Sequence, residues 1–147
     1  MIDDVYNAKI LELAAAVPEA STLPVADGSA RKHSKLCGSS VRVDVAMDGD
    51  VVAGLAMEVK ACALGQAAAA VIAGNAIGAT RAELIEARDG LHAMLKDGGE
   101  PPTGRFADLA FLEPVKDYRA RHASTLLAAE AIVDAANMAI TAKSEAA

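Results

Sequence analysis

Val41-Arg42-Val43-Asp44-Val45-Ala46-Met47-Asp48-Gly49-Asp50-Val51-Val52-Ala53-Gly54-Leu55-Ala56-Met57-Glu58-Val59-Lys60 is the stretch whose reading decides the fold. Val41, Val43, Val45 and Met47 alternate with Arg42, Asp44 and Ala46, the period-two pattern of a half-buried strand. Asp48-Gly49 follows, a dipeptide suited to a tight hairpin turn. Val51, Ala53, Leu55, Met57 and Val59 then alternate again, with Glu58 and Lys60 on the other face. Residues 30–36 add a third strand. The result is a short antiparallel meander with one apolar face, and that face needs cover.

Helices on either side supply the cover. Residues 3–15 read as a first helix, with Asp3 and Asp4 at its start, where carboxylates favour the free amide ends, and Pro18 marking its end. Residues 16–29 hold Pro, Ser, Thr and Gly and read as a connecting loop. Residues 62–74 are so rich in Ala that a helix there is small-sided all round and therefore buried. Thr80 with Glu83 forms a capping box for a helix over 81–96, striped by Leu84, Ile85, Leu91, Met94 and Leu95 and stopped by Gly98-Gly99. Residues 103–110 read as a short helix, and 123–142 as the last long one, with Leu126, Val133 and Ile140 on one stripe. Strands followed by helices indicate an α+β fold, a three-stranded meander packed against four to five helices, in a single domain spanning 1–147.

Composition narrows the function. Aromatics are 3% with no Trp, so stacking surfaces for nucleobases are scarce. A net charge of −6 opposes nucleic-acid binding, and the basic run Arg31-Lys32-His33-Ser34-Lys35 reads as a solvated edge. No apolar run reaches the ~18 residues of a membrane span; residues 61–79 come nearest. The opening Ile2-Asp3-Asp4 is not a secretory signal, which places the chain in the cytoplasm. No Ser/His/Asp triad, phosphate loop or paired carboxylates argues for an ordinary hydrolase or kinase.

Chemistry concentrates at the two cysteines. Cys37 sits in Leu36-Cys37-Gly38-Ser39-Ser40, before the first strand of the hairpin; Cys62 follows the second strand and opens the Ala-rich helix. Both lie at the end of the sheet away from the turn, at similar separations from it, so the near-uniform rise of the strands brings them together. Free amides and the helix dipole at Cys62 favour a thiolate, the form that binds metals and attacks sulfur, and Lys60 adds positive charge. The alternative is a pair of inert core cysteines.

Cys37-Gly38, a valine-rich strand, Asp48-Gly49, a second strand and Lys60-Ala61-Cys62-Ala63 opening an Ala-rich helix resemble the scaffold domain of the IscU/NifU/SufU family. Leu127-Ala128-Ala129-Glu130-Ala131-Ile132 resembles the family's stretch after its third cysteine. The resemblance implies a SufE/NifU-like fold and a non-enzymatic scaffold that assembles an iron–sulfur cluster and passes it on. Its thiolates would bind iron and accept sulfur from a cysteine desulfurase, Cys62 being the better nucleophile. A SufU-like zinc-dependent sulfur relay and a metal-free, degenerate interaction protein are the alternatives.

Family members hold metal through three cysteines and an aspartate, sometimes with a histidine. Here Ser39 replaces the aspartate and the third cysteine is absent. Counting back without gaps from the last helix puts Ser124 in its place; a shift of one or two residues puts Ala123 or His122 there. The resemblance thus implies Cys37, Cys62 and His122 as metal ligands, with Ser39, Ser124 and His33 in reserve and Lys60 and Arg121 in support. Leu112-Glu113-Pro114-Val115-Lys116 resembles the Leu-Pro-Pro-Val-Lys motif gripped by the chaperone partner of IscU, which adds a chaperone to the desulfurase and cluster acceptors as partners.

Overall fold

A computed structural model describes residues 6–36 and 38–146, side chains through Ser144. The order is α1 (Ala8–Ala15), β1 (Gly28–His33), β2 (Ser40–Asp48), β3 (Val51–Lys60), α2 (Ala63–Ala76), α3 (Arg81–Asp97), a 3-10 segment (Gly104–Asp117) and α4 (His122–Ala146), with a single 3-10 turn at Arg119–Arg121. The strands form one antiparallel sheet in the order β1-β2-β3, giving the α+β meander under helices that the alternation predicts.

Register explains why one face is apolar. Val41 pairs with Val59, Val43 with Met57 and Val45 with Leu55, after which a bulge between Ala46 and Met47 sets Met47 opposite Val52. The bulge shifts the inward set on β3 from odd to even positions, so Val52 is buried and Ala53 exposed. The turn also differs from the expected dipeptide. Asp48 pairs with Val51, so Gly49-Asp50 turns the chain, with Gly49 at φ +63° and no residue type but glycine at positive φ among the described residues. A glycine alone at positive φ in the first central position is the II′ arrangement.

Helices α2 and α4 cover the apolar face. Helix α2 is buried on nearly all sides, as its Ala-rich sequence demands: Leu64, Ala67, Ala68, Ala69, Val71 and Ile72 are all in the core. Helix α4 belongs to the stretch Arg119–Ser144, within which an 18-residue segment of mean hydropathy 1.3 is long and apolar enough to span a membrane. That corrects the expectation that no such stretch exists and that 61–79 comes nearest. The physical reason for its apolarity is central packing, since 61% of that segment is buried inside the fold. Small residues permit close approach. A Cβ on Gly28 would lie 2.1 Å from the Ala135 carbonyl oxygen, so β1 and α4 meet backbone to backbone.

Other boundaries moved for identifiable reasons. Helix α1 begins at Ala8 because Asn7 caps it, its side chain accepting from the Ile10 amide at 3.0 Å; Asp3 and Asp4 lie outside the described residues. Strand β1 stops at His33, where Ser34 turns inward: its amide donates to Ser39 O at 2.8 Å and its carbonyl accepts from Gly38 at 2.9 Å. Thr80 and Glu83 form the expected capping box, and Gly98 ends α3 at φ +65°. The short helix expected over 103–110 runs on to Asp117 as a 3-10 segment carrying Pro114.

The loop between α1 and β1 straps the outer face of the sheet. Ser21 donates to Met57 O at 3.1 Å and Asp27 to Val45 O at 2.8 Å. Beneath it Asp44 receives Ser29 Oγ at 2.7 Å, the Leu23 amide at 3.3 Å and the Arg42 guanidinium at 2.6 Å. Burial pushes the Asp44 carboxyl up, but these donors together outweigh it and hold it below the usual range. Asp27 is also held low, chiefly by the Met47 amide at 2.7 Å and further by Lys143.

Candidate functional site

The site lies at the end of the sheet opposite the hairpin turn. Ser40 pairs with both His33 and Lys60, so the segments around Leu36, Gly38 and Ser39 and the run Lys60-Ala61-Cys62 share that end. Cys37 itself lies outside the described residues. Gly38 takes φ +72° with open space around its Cα.

Cys62 is the N-cap of α2 in extended backbone, φ −68° and ψ 173°, and its side chain makes no cap hydrogen bond. The thiol is thereby left to meet α4: Cys62 Sγ lies 3.7 Å from Ser124 Oγ. Gln66 clamps the junction, its amide donating to Cys62 O and its Nε2 to Ala61 O, both at 2.9 Å. Gly65 makes the approach possible, because a Cβ there would lie 2.7 Å from Ala61 Cβ and 3.1 Å from Ser124 O. Neither Gln66 nor Gly65 stood out in the sequence, although a glycine one turn into an Ala-rich helix is the signal of a close helix crossing.

The other candidates divide. Ser124 is buried, donating to Arg121 O at 3.2 Å, and Thr125 Oγ1 donates to the same carbonyl at 2.8 Å. His122 is buried, and its Nε2 lies 3.0 Å from both Val115 O and Lys116 O. Two carbonyl neighbours require that Nε2 carry the proton. Its Nδ1 is buried with no hydrogen-bond partner among the described residues. Ser39 is buried and His33 exposed at the end of β1. Lys60 is exposed and pairs with Glu58 at 3.5 Å; Lys60, with Arg31, holds the Glu58 carboxyl below its usual range. Arg121 contributes its carbonyl to Ser124 and Thr125. Among the described residues no three His, Cys, Asp or Glu side chains are grouped to hold a metal ion.

The segment 112–116 is placed differently from a free docking motif. Leu112 and Val115 are fully buried in the core, while Lys116 bonds Glu113 at 3.0 Å. Contact with Glu113 holds the Lys116 ammonium above its usual pKa range.

A three-stranded meander under helices, with a cysteine at the N-cap position of the helix that follows the hairpin, defines a class of α+β domain. No family model and no curated protein matches the chain. Among solved structures, the N-terminal part of a nitrogen-fixing NifU-like protein from Brucella abortus is 52% identical, with a TM-score of 0.92, over 97% of this chain and 98% of that one. This chain therefore belongs to the NifU-like N-terminal domain family. A protein from the thermophile Fervidobacterium islandicum AW-1, assigned by inference as an iron–sulfur cluster assembly scaffold for the SUF system, shares the fold at 22% identity and a TM-score of 0.82, over 90% of this chain and 97% of that one.

Proposed function

We propose that the chain is an iron–sulfur cluster assembly scaffold, binding iron and sulfide as cargo through Cys37 and Cys62 and passing the cluster to acceptor proteins. The observation that carries this reading is the Cys62 thiol: it is uncommitted to capping its own helix and stands at the sheet end to which Leu36 and Gly38 also belong, in a chain 52% identical to a NifU-like domain. His122 offers the third donor. Its Nε2 proton goes to backbone carbonyls, the usual anchoring of a metal-binding imidazole, and its buried Nδ1 is without a partner among the described residues. Two thiolates and one imidazole suit iron–sulfur chemistry or zinc.

Sulfur arrives by exchange. The Cys62 thiolate attacks the outer sulfur of a persulfide on a cysteine desulfurase. The bond between the two desulfurase sulfurs breaks, the desulfurase thiolate leaves, and Cys62 holds the persulfide. A chaperone gripping 112–116 would have to open the 3-10 segment, since Leu112 and Val115 are core residues.

Anaerobic reconstitution with ferrous iron and sulfide tests the reading. Visible absorption with matching iron and sulfide content is expected, and it is lost in Cys37→Ala and Cys62→Ala. Unchanged absorption in both variants would refute the scaffold. Stoichiometric zinc that persists on mixing with a desulfurase would point to the zinc relay, and no metal in any preparation to the interaction protein. Full iron affinity in His122→Ala would remove the imidazole from the ligand set.

A further inference from the structure

Cys62 Sγ and Ser124 Oγ meet at 3.7 Å where α2 crosses α4, and either atom can be the donor. Ser124 Oγ donates to Arg121 O at 3.2 Å, which turns its lone pairs toward Cys62 Sγ. The hydroxyl can also rotate and donate to sulfur. Rotation leaves Arg121 O satisfied, because Thr125 Oγ1 still donates to it at 2.8 Å, so no buried carbonyl is stranded. Ser124 is 2% exposed, and Gly65 keeps the α2 backbone close to the Ser124 carbonyl, so the residue is enclosed where the two helices meet.

We propose that Ser124 is the positioning residue for the Cys62 sulfur, holding it by a hydrogen bond across the meeting of α2 and α4 and staying outside the metal's coordination sphere. This inference rests on the scaffold reading and adds a role for the residue standing where the family has its third cysteine. A protonated hydroxyl is a poor donor to a thiophilic ion, whereas a hydrogen bond to a ligating sulfur tunes and orients it. The spacing is also that of a ligand edge. Metal–sulfur bonds of ~2.3 Å at tetrahedral angles set neighbouring sulfurs ~3.8 Å apart. Ser124→Cys therefore adds a thiolate where a metal on Cys62 can reach it.

Cobalt(II) alone, titrated anaerobically into the full chain, provides the readout through its thiolate-to-metal charge-transfer band. Ser124→Ala is expected to weaken cobalt binding ~10–100-fold, the usual effect of losing an outer-sphere partner, with the band per bound cobalt unchanged. Ser124→Cys should raise the band by the same step that Cys62→Ala removes. Wild-type affinity in Ser124→Ala overturns the proposal, as does a changed band pattern per cobalt, which would make the hydroxyl a ligand. Should Ser124→Ala fail to fold by circular dichroism, Ser124→Cys decides: a band equal to wild type overturns it. Full cobalt binding by Cys62→Ala would instead refute the site itself.

Discussion

Two glycines in α2 should respond to the same substitution with opposite sign. A Cβ on Gly65 would stand 2.7 Å from Ala61 Cβ and 3.1 Å from Ser124 O, whereas a Cβ on Gly74 would have nothing within 4 Å. Carbon–carbon contacts are optimal near ~3.5–4.0 Å, so at Gly65 the connection at Ala61 must shift by about 1 Å, and the Ser124 carbonyl of α4 must give by a few tenths of an ångström. Overpacking of this kind costs ~1–3 kcal/mol, and the helix propensity gained on Gly→Ala returns ~1 kcal/mol. The net expectation for Gly65→Ala is a loss of up to about 2 kcal/mol, worth several degrees in Tm for a chain of this size. Gly74→Ala keeps the propensity term alone and should stabilise by roughly 0.5–1 kcal/mol. Urea denaturation of both variants beside the wild type measures the difference, provided the m-values agree. Equal stabilisation by the two substitutions would refute the close crossing of α2 on α4, and with it the placement of Ser124 against Cys62.

Gly28→Ala should be more damaging than Gly65→Ala, because its Cβ would meet the rigid Ala135 carbonyl oxygen at 2.1 Å; a loss of ~3 kcal/mol or more in chemical denaturation is expected. Thr80→Ala removes the side chain that accepts from the Glu83 amide at 3.1 Å and should cost ~0.5–2 kcal/mol in the same assay. Asp27 and Asp44 both sit below the ordinary value of 3.8 in the folded chain. Their contribution is thus complete above that pH and is lost as pH falls through the lower folded values. The urea midpoint should hold between pH 6 and pH 5 as far as these groups are concerned and drop toward pH 3, with a shallower drop in Asp44→Asn; an undiminished drop would remove Asp44 from the explanation.

The hairpin was legible because alternation is a property of adjacent residues. Val41, Val43, Val45 and Met47 announce their shared face without reference to anything distant. The capping box at Thr80 and Glu83 is likewise local, as is the all-round burial of an Ala-rich helix. The bulge after Ala46 was not legible. It changes which side of β3 faces inward without altering the apolar content of the strand.

Sequence by itself determined that Cys62 follows the second hairpin strand and opens a helix, since both elements are written in neighbouring residues. It left Ser124, Ala123 and His122 competing for the position of the third ligand, because counting along a helix cannot choose among residues one or two apart. Only tertiary packing shows the different surroundings of Ser124 and His122. Gly65 lets α2 come close to α4, and that approach puts the Ser124 hydroxyl against Cys62 Sγ. The end of the 3-10 segment holds the His122 imidazole by its Nε2 proton. The Cys62–Ser124 contact joins residues 62 positions apart, where the deciding quantity is the distance between two helices, and no local pattern encodes that distance.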